Sequence, residues 1–286
     1  MTQTPMPNIV TTEWLHENIS APDVRAVDAS WYLPGTHRDA RAEYKKTHIP
    51  GAVYFDIDEI ADLSTDLPHM LPRPEKFSSR VRRLGLGDGQ RIVIYDSAGC
   101  YSAPRVWWMF KVYGHDRVAV LDGGLPKWRA EGRPLENLPP MPRERHFTAR
   151  LNPALLRTVE QMEVNLSNGL EQVVDARARG RFLGTEPEPR EGLRGGHIPG
   201  SLNIPYDRLL HSNGTFKGPM EIKAMAKEVG VDFDKPVVTT CGSGVTATLL
   251  ALALQDAGHK DVSVYDGSWA EWGSKEELPV ATESED

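Results

Sequence analysis

The chain has 286 residues, the length of about two domains, and its 40% hydrophobic and 26% charged content is that of an ordinary globular protein. A net charge of −7 speaks against a general nucleic-acid or anionic-membrane surface, and no apolar run approaches the roughly 20 residues that span a bilayer. Cys100 and Cys241 are the only cysteines, too few for a disulfide framework and suited to a reducing, cytoplasmic setting in which a thiol stays free. Met1 to Val10 shows neither a basic-then-apolar secretory signal nor the arginines of a mitochondrial presequence.

In chain order, Thr11 or Thr12 is expected to cap a helix beginning near Glu13-Trp14-Leu15. Val24 to Ala29 reads as a strand, Gly35 to Thr47 as loop then helix, and His48-Ile49-Pro50-Gly51-Ala52 as a turn before the apolar Val53-Tyr54-Phe55. Asp56 to Asp58 and the proline-rich Leu67 to Pro74 read as loops, and Glu75 to Leu84 as a helix stopped by Gly85. A buried strand at Arg91 to Tyr95, a helix at Ala103 to Tyr113 with Pro104 in its first turn, and a strand at Val118 to Leu121 complete the first half. Pro134 to Pro142 carries four prolines and little apolar content, the composition of a semi-rigid linker.

The second half repeats this plan. Val173-Val174-Asp175-Ala176 echoes Val27-Asp28-Ala29, and His197-Ile198-Pro199-Gly200 echoes His48-Ile49-Pro50-Gly51. His259, Asp266 and Trp272 follow His115, Asp122 and Trp128 at one shared offset of 144 (259 − 115, 266 − 122, 272 − 128). Two copies of one domain are therefore expected: residues 1–134, a linker at 135–150, and residues 151–286. Strands alternating with helices give each copy an α/β fold, a parallel sheet flanked by helices on both faces. His48 and His197 stand alone, with no second ligand at metal spacing, and read as turn residues.

The most informative stretch is Val237 to Ala247. A short β-branched run leads directly into Cys241, Gly242 and Gly244 follow within three residues, and an apolar helical pattern runs from Val245 to Ala257. A sulfur between strand and helix sits where backbone N–H groups and the positive end of the helix dipole converge, which favours the nucleophilic thiolate. A buried structural cysteine is the plainer alternative, and the strand–Cys-Gly-x-Gly–helix context weighs against it. In the first copy Asp96 takes the place of Cys241 and the loop is one residue longer, so that copy is expected to be catalytically inert. Cys100, late in that loop, reads as incidental, a regulatory thiol being the other option.

Together the tandem plan, the paired His-Ile-Pro-Gly turns, the loop Cys241-Gly242-Ser243-Gly244-Val245-Thr246 and the runs Asp28 to Pro34, Ser102 to Phe110, Gly180 to Arg190 and Tyr265 to Trp269 resemble the tandem-rhodanese sulfurtransferases over nearly the whole chain. That resemblance implies two rhodanese-like domains and sulfur transfer from 3-mercaptopyruvate through a persulfide on Cys241, with pyruvate released and no cofactor or metal. The acceptor would be a thiol, such as that of thioredoxin, or cyanide. It implies that Arg181 and Arg190 clamp the donor carboxylate, that the loop residues Gly242, Gly244, Val245 and Thr246 cradle the sulfur, and that Ser243, Asp58 and His69 form a proton relay. Since Asp58 and His69 lie in the first copy's sequence, the site would draw on both domains.

Thiosulfate transferases of this family carry Arg-Lys after the cysteine, where this chain has the neutral Gly242-Ser243; thiosulfate remains the alternative donor. A phosphatase of the Cys-x5-Arg type would need arginine where Ala247 stands. A non-catalytic rhodanese module is disfavoured by the intact cysteine loop.

Overall fold

The computed structural model describes residues 6–282. The first five residues of the amino-terminal segment and the last four of the acidic tail lie outside them. The described chain divides into two compact units.

In the first unit five parallel strands, β1 (Ile9–Val10), β2 (Val24–Asp28), β3 (Val53–Tyr54), β4 (Arg91–Tyr95) and β5 (Val118–Leu121), lie in the order β1-β5-β4-β2-β3. Val24, Ala26, Val93, Tyr95, Ala119 and Leu121 present one face of the sheet to α1 (Thr12–Asn18), α2 (Ala40–Lys46) and α5 (Gly124–Ala130), around Leu15, Tyr44 and Trp128. The alternate residues Val27, Ile92, Ile94, Val118 and Val120 point to the opposite face and are just as buried. There α4 (Ala103–Val112) packs on β4 and β5, with α3 (Pro74–Arg83) contributing Phe77 to a cluster with Phe110. Burial on both faces explains why these strands read as continuous apolar runs.

The second unit repeats the order one for one: β6 (Leu156–Arg157), β7 (Gln172–Asp175), β8 (Leu202–Asn203), β9 (Val237–Thr240) and β10 (Val262–Tyr265) form a parallel sheet β6-β10-β9-β7-β8. Its helices are α6 (Val159–Asn168), α7 (Arg179–Phe182), α8 (Pro219–Glu228), α9 (Thr246–Asp256) and α10 (Ser268–Trp272). Helix α9 is buried from Thr246 to Leu254, as an all-round apolar helix must be.

The sequence-based boundaries place the linker differently. The first unit comprises the chain up to Asp62, Leu71–Asn152 and His211–Phe216; the second takes Leu63–Met70, Pro153–Leu210 and the chain from Lys217 on. Segment 135–150 therefore belongs to the first unit. Phe147 is 2% exposed and packs edge-on against Phe77 and Phe110. Its carbonyl accepts a 2.6 Å bond from Ser78 Oγ, and Arg150 N–H donates to Tyr113 O at 3.0 Å. Prolines gave this stretch a linker's composition, but its few apolar side chains are spent on the core.

The acidic tail behaves likewise. Leu278 is buried, Trp272 Nε1 donates to Pro279 O at 2.9 Å, and Ala281 pairs antiparallel with His197. In the first unit Trp128 Nε1 donates to Pro134 O at 2.8 Å and His48 pairs with Glu136. Each unit is thus closed by the same strap, bonded to the backbone of its His-Ile-Pro-Gly turn. The ring nitrogens Nδ1 of His48 and His197 meet backbone oxygens of Tyr44 and Phe182, both at 2.8 Å, which accounts for both histidines as turn residues.

Phe147→Ala is expected to lower unfolding stability by about 3 kcal/mol in urea titration; a free linker would leave stability unchanged.

Candidate active site

Cys241 follows the last residue of β9, the central strand of the second sheet, and is 2% exposed. Its register is fixed on both sides: Thr240 pairs with Asp175 of β7, and Thr239 with Val264 of β10. The loop 241–245 is tied to the start of α10, where Trp269 N–H donates to Cys241 O at 2.9 Å and Ala270 N–H to Gly242 O at 2.8 Å. Gly244 adopts φ +73°, the left-handed conformation that glycine enters without a Cβ penalty, and turns the chain into α9. Ser243 is 6% exposed, and Val245 and Thr246 are buried.

The first unit shows what this loop geometry favours. Asp96, at the same place after β4, is fully buried. Its carboxylate accepts backbone N–H bonds from Ala98 (2.9 Å), Ser102 (2.9 Å) and Ala103 (2.8 Å). Burial pushes its carboxyl up while these N–H groups draw it down. In the first unit the loop after the central strand is therefore a cage of N–H donors filled by its own carboxyl side chain, burial outweighing them and raising that carboxyl overall. Cys100 is fully buried there, its Sγ 3.4 Å from Leu121 O, with burial pushing the thiol well up; it is a packed core residue.

Asp96 O accepts from Leu125 N–H at 2.9 Å, the counterpart of Trp269 with Cys241. Just before Leu125, Gly124 sits at φ +55°, and a Cβ there would lie 2.6 Å from Asp96 O. The residue 144 positions on is Ser268, held at φ +50°. Its hydroxyl donates to Tyr265 O at 2.8 Å and accepts the N–H of Cys241 at 3.3 Å. A serine thus occupies the strained place where the first unit uses glycine. The sequence signal was a Ser opposite a Gly in the repeat, unreadable without knowing that the position is left-handed.

Arg181, on α7, reaches this loop: a Cβ on Gly242 would lie 2.9 Å from Arg181 Nη2, so a side chain at 242 would push the guanidinium out of its present place. Arg181 is engaged by Glu188, whose side chain is 2% exposed, and Glu188 is shared with the fully buried Arg177. Arg177 also grips Asp175 and lies 4.2 Å from the Trp269 ring centroid. Burial of Arg177 opposes its charge, and the two carboxylates more than offset that. Arg190 is half-buried and makes no ion pair or side-chain hydrogen bond among the described residues. Sequence reading chose Arg181 and Arg190 but passed over Arg177 and Glu188.

Of the expected relay, Ser243 and His69 fall in the second unit and Asp58 in the first. His69 precedes most of the first unit's chain yet packs with the second, because chain order does not say which core a loop joins. His69 is 6% exposed and held at φ +61°. The Asp58 carboxylate accepts from Trp31 Nε1 at 2.9 Å. Ala247, at the position a phosphatase would give to arginine, is buried in the first turn of α9.

Two parallel α/β units of identical strand order, one with a carboxylate and one with a thiol just after the central strand, define a tandem rhodanese-type protein. The Rhodanese-like domain matches residues 11–131 and 158–275, and the chain belongs to that family. It is 48% identical to the 3-mercaptopyruvate sulfurtransferase of Homo sapiens across 92% of this chain and 91% of that protein. It is 46% identical to the thiosulfate sulfurtransferase of Rattus norvegicus, again over 92% and 91% of the two chains. The crystal structure of the 3-mercaptopyruvate sulfotransferase SseA from Escherichia coli superposes with a TM-score of 0.85 at 38% identity, covering 92% of this chain and 99% of that one. The chain is accordingly a sulfurtransferase.

Ser268→Gly is expected to raise unfolding stability by about 1 kcal/mol, by relieving the left-handed strain, while slowing sulfur transfer severalfold. Thermal unfolding and turnover on the same preparation check the opposite signs.

Proposed function

We propose that the chain transfers the sulfur of 3-mercaptopyruvate to a thiol or to cyanide by way of Cys241. The Cys241 thiolate attacks the donor sulfur; the S–S bond forms, the C–S bond breaks, and its electron pair leaves on carbon as the enolate of pyruvate. An acceptor thiolate or cyanide then attacks the outer sulfur and returns Cys241 as thiolate, giving the acceptor persulfide or thiocyanate. This is covalent catalysis by an activated nucleophile, and the loop amides stabilise the anionic sulfur on both sides of transfer. The cradle that surrounds the Asp96 carboxylate in the first unit supports this use of the loop.

The single observation that carries the choice of donor is the pairing of a neutral Gly242-Ser243 loop with Arg181 against Gly242. A dianion such as thiosulfate calls for positive charge in the loop itself. A monocarboxylate calls for a guanidinium beside it, because guanidinium grips carboxylate through paired N–H bonds. Arg190, without a protein partner among the described residues, is the second arm of that clamp. The relatives named for both donors make thiosulfate the second substrate.

The enolate carbon needs a proton, and Ser243 and His69, both in the second unit, are the groups that supply it. Support comes from His69, whose left-handed backbone costs on the order of 1–3 kcal/mol, a strain consistent with a functional post. The acceptor is a protein thiol such as that of thioredoxin, and the setting is the cytoplasm. Two free cysteines fit that choice. No helix among the described residues is long and apolar enough to cross a membrane.

Pyruvate release from 3-mercaptopyruvate, set against thiocyanate formation from thiosulfate and cyanide, tests the donor. Arg190→Ala is expected to raise KM for mercaptopyruvate about tenfold and to change KM for thiosulfate little; equal effects on the two donors would contradict the clamp. Replacing Gly242-Ser243 by Arg-Lys adds charge and displaces Arg181 from the loop, and the kcat/KM ratio should swing toward thiosulfate. No swing would mean that loop charge does not set donor choice.

A further inference from the structure

Arg181 does not stand alone beside the loop. Its Nη2 donates to Glu188 Oε2 at 2.5 Å and its Nε faces Oε1 at 3.3 Å, so one edge of the guanidinium is taken by a single carboxylate. That carboxylate cannot follow Arg181 if Arg181 swings outward. Glu188 Oε1 also accepts from Arg177 Nη1 at 2.7 Å. Arg177 in turn is fixed by Asp175 Oδ2, at 2.9 Å from Nε and 2.7 Å from Nη2, and by Gly196 O at 2.8 Å.

Asp175 ends β7 and pairs in register with Thr240, the residue before Cys241. Trp269, which lies against the Arg177 guanidinium, bonds the Cys241 carbonyl. The alternating chain Asp175–Arg177–Glu188–Arg181 is therefore anchored at the strand ends that also fix the sulfur. Along it the side-chain exposure is 1%, 0%, 2% and then 21%, so only the last guanidinium reaches toward solvent.

We infer that Glu188 is the positioning residue that aims Arg181 at the donor carboxylate. Resting on the clamp described above, the inference adds what holds the clamp. With Nε and one N–H of Nη2 committed to Glu188, Arg181 keeps Nη1 and the remaining Nη2 hydrogen free, on the side of Gly242. An arginine without that partner samples many rotamers, and each donor molecule would have to pay for ordering it. Glu188 also balances the charge of Arg181, so the site offers a directed pair of N–H donors without a large positive field. That arrangement suits one carboxylate better than a dianion.

The test compares Glu188→Gln, which keeps the shape and removes the charge, with Arg181→Ala and the double variant, using both donors and thermal unfolding. Glu188→Gln is expected to raise KM for 3-mercaptopyruvate about tenfold, with kcat at saturating donor within about twofold and KM for thiosulfate not raised. The double variant should match Arg181→Ala, since Glu188 acts only through Arg181. Unchanged KM in Glu188→Gln, with a large rise in Arg181→Ala, would overturn the inference and leave the clamp intact. No rise in Arg181→Ala would overturn the clamp and the inference with it. A Glu188 effect that persists in the Arg181→Ala background would show that Glu188 works by another route. Should Glu188→Gln fail to fold, Glu188→Asp retains the charge opposite Arg177 but shortens the reach. It is expected to give an intermediate rise in KM, and an unchanged KM would contradict the positioning role.

Discussion

Both units depend on one constraint: a backbone that leaves a buried central strand must turn through a short loop into a buried helix, and any N–H group it buries there needs a partner. In the first unit Asp96 supplies one, a carboxylate held by three such groups. In the second unit the equivalent residue is Cys241, which brings a sulfur rather than a carboxylate to the end of the central strand. The two copies thus differ at this one place, a hydrogen-bonded carboxyl side chain in the first and a thiol in the second.

Beside that loop four charged groups form one connected route. Three of the four charged groups from Asp175 to Arg181 are almost sealed from water, a costly arrangement unless each charge is met on both sides. Arg177 and Glu188 meet that condition, Asp175 has both its oxygens on Arg177, and Arg181 ends the series at the surface. Ser268 adds a second expense, a left-handed serine where glycine would do, with its hydroxyl on the Cys241 N–H. Strain at Ser268, where the first unit has Gly124, is the expected signature of a residue kept for its side chain.

Much of this was legible in the chain itself. Continuous apolar runs such as Ile92 to Tyr95 and Val237 to Val238 marked buried parallel strands, and the shared offset of 144 exposed the repeat. The cysteine loop was readable because strand, glycines and helix each leave a local mark. What stayed hidden was non-local. Composition made Pro134 to Pro142 a linker, yet the segment it opens lays Phe147 into the first core. Chain order put His69 with the first copy, yet Leu63–Met70 packs with the second unit. Glu188 looked like any loop glutamate, since nothing in spacing announces that two arginines converge on it.

The most direct test of the central claim is mass spectrometry of the protein after brief treatment with 3-mercaptopyruvate and no acceptor. The result expected is an added mass of one sulfur atom per chain, on the peptide that contains Cys241, lost on addition of cyanide or a thiol. Turnover with no sulfur on that peptide, or with the label on Cys100, would contradict it.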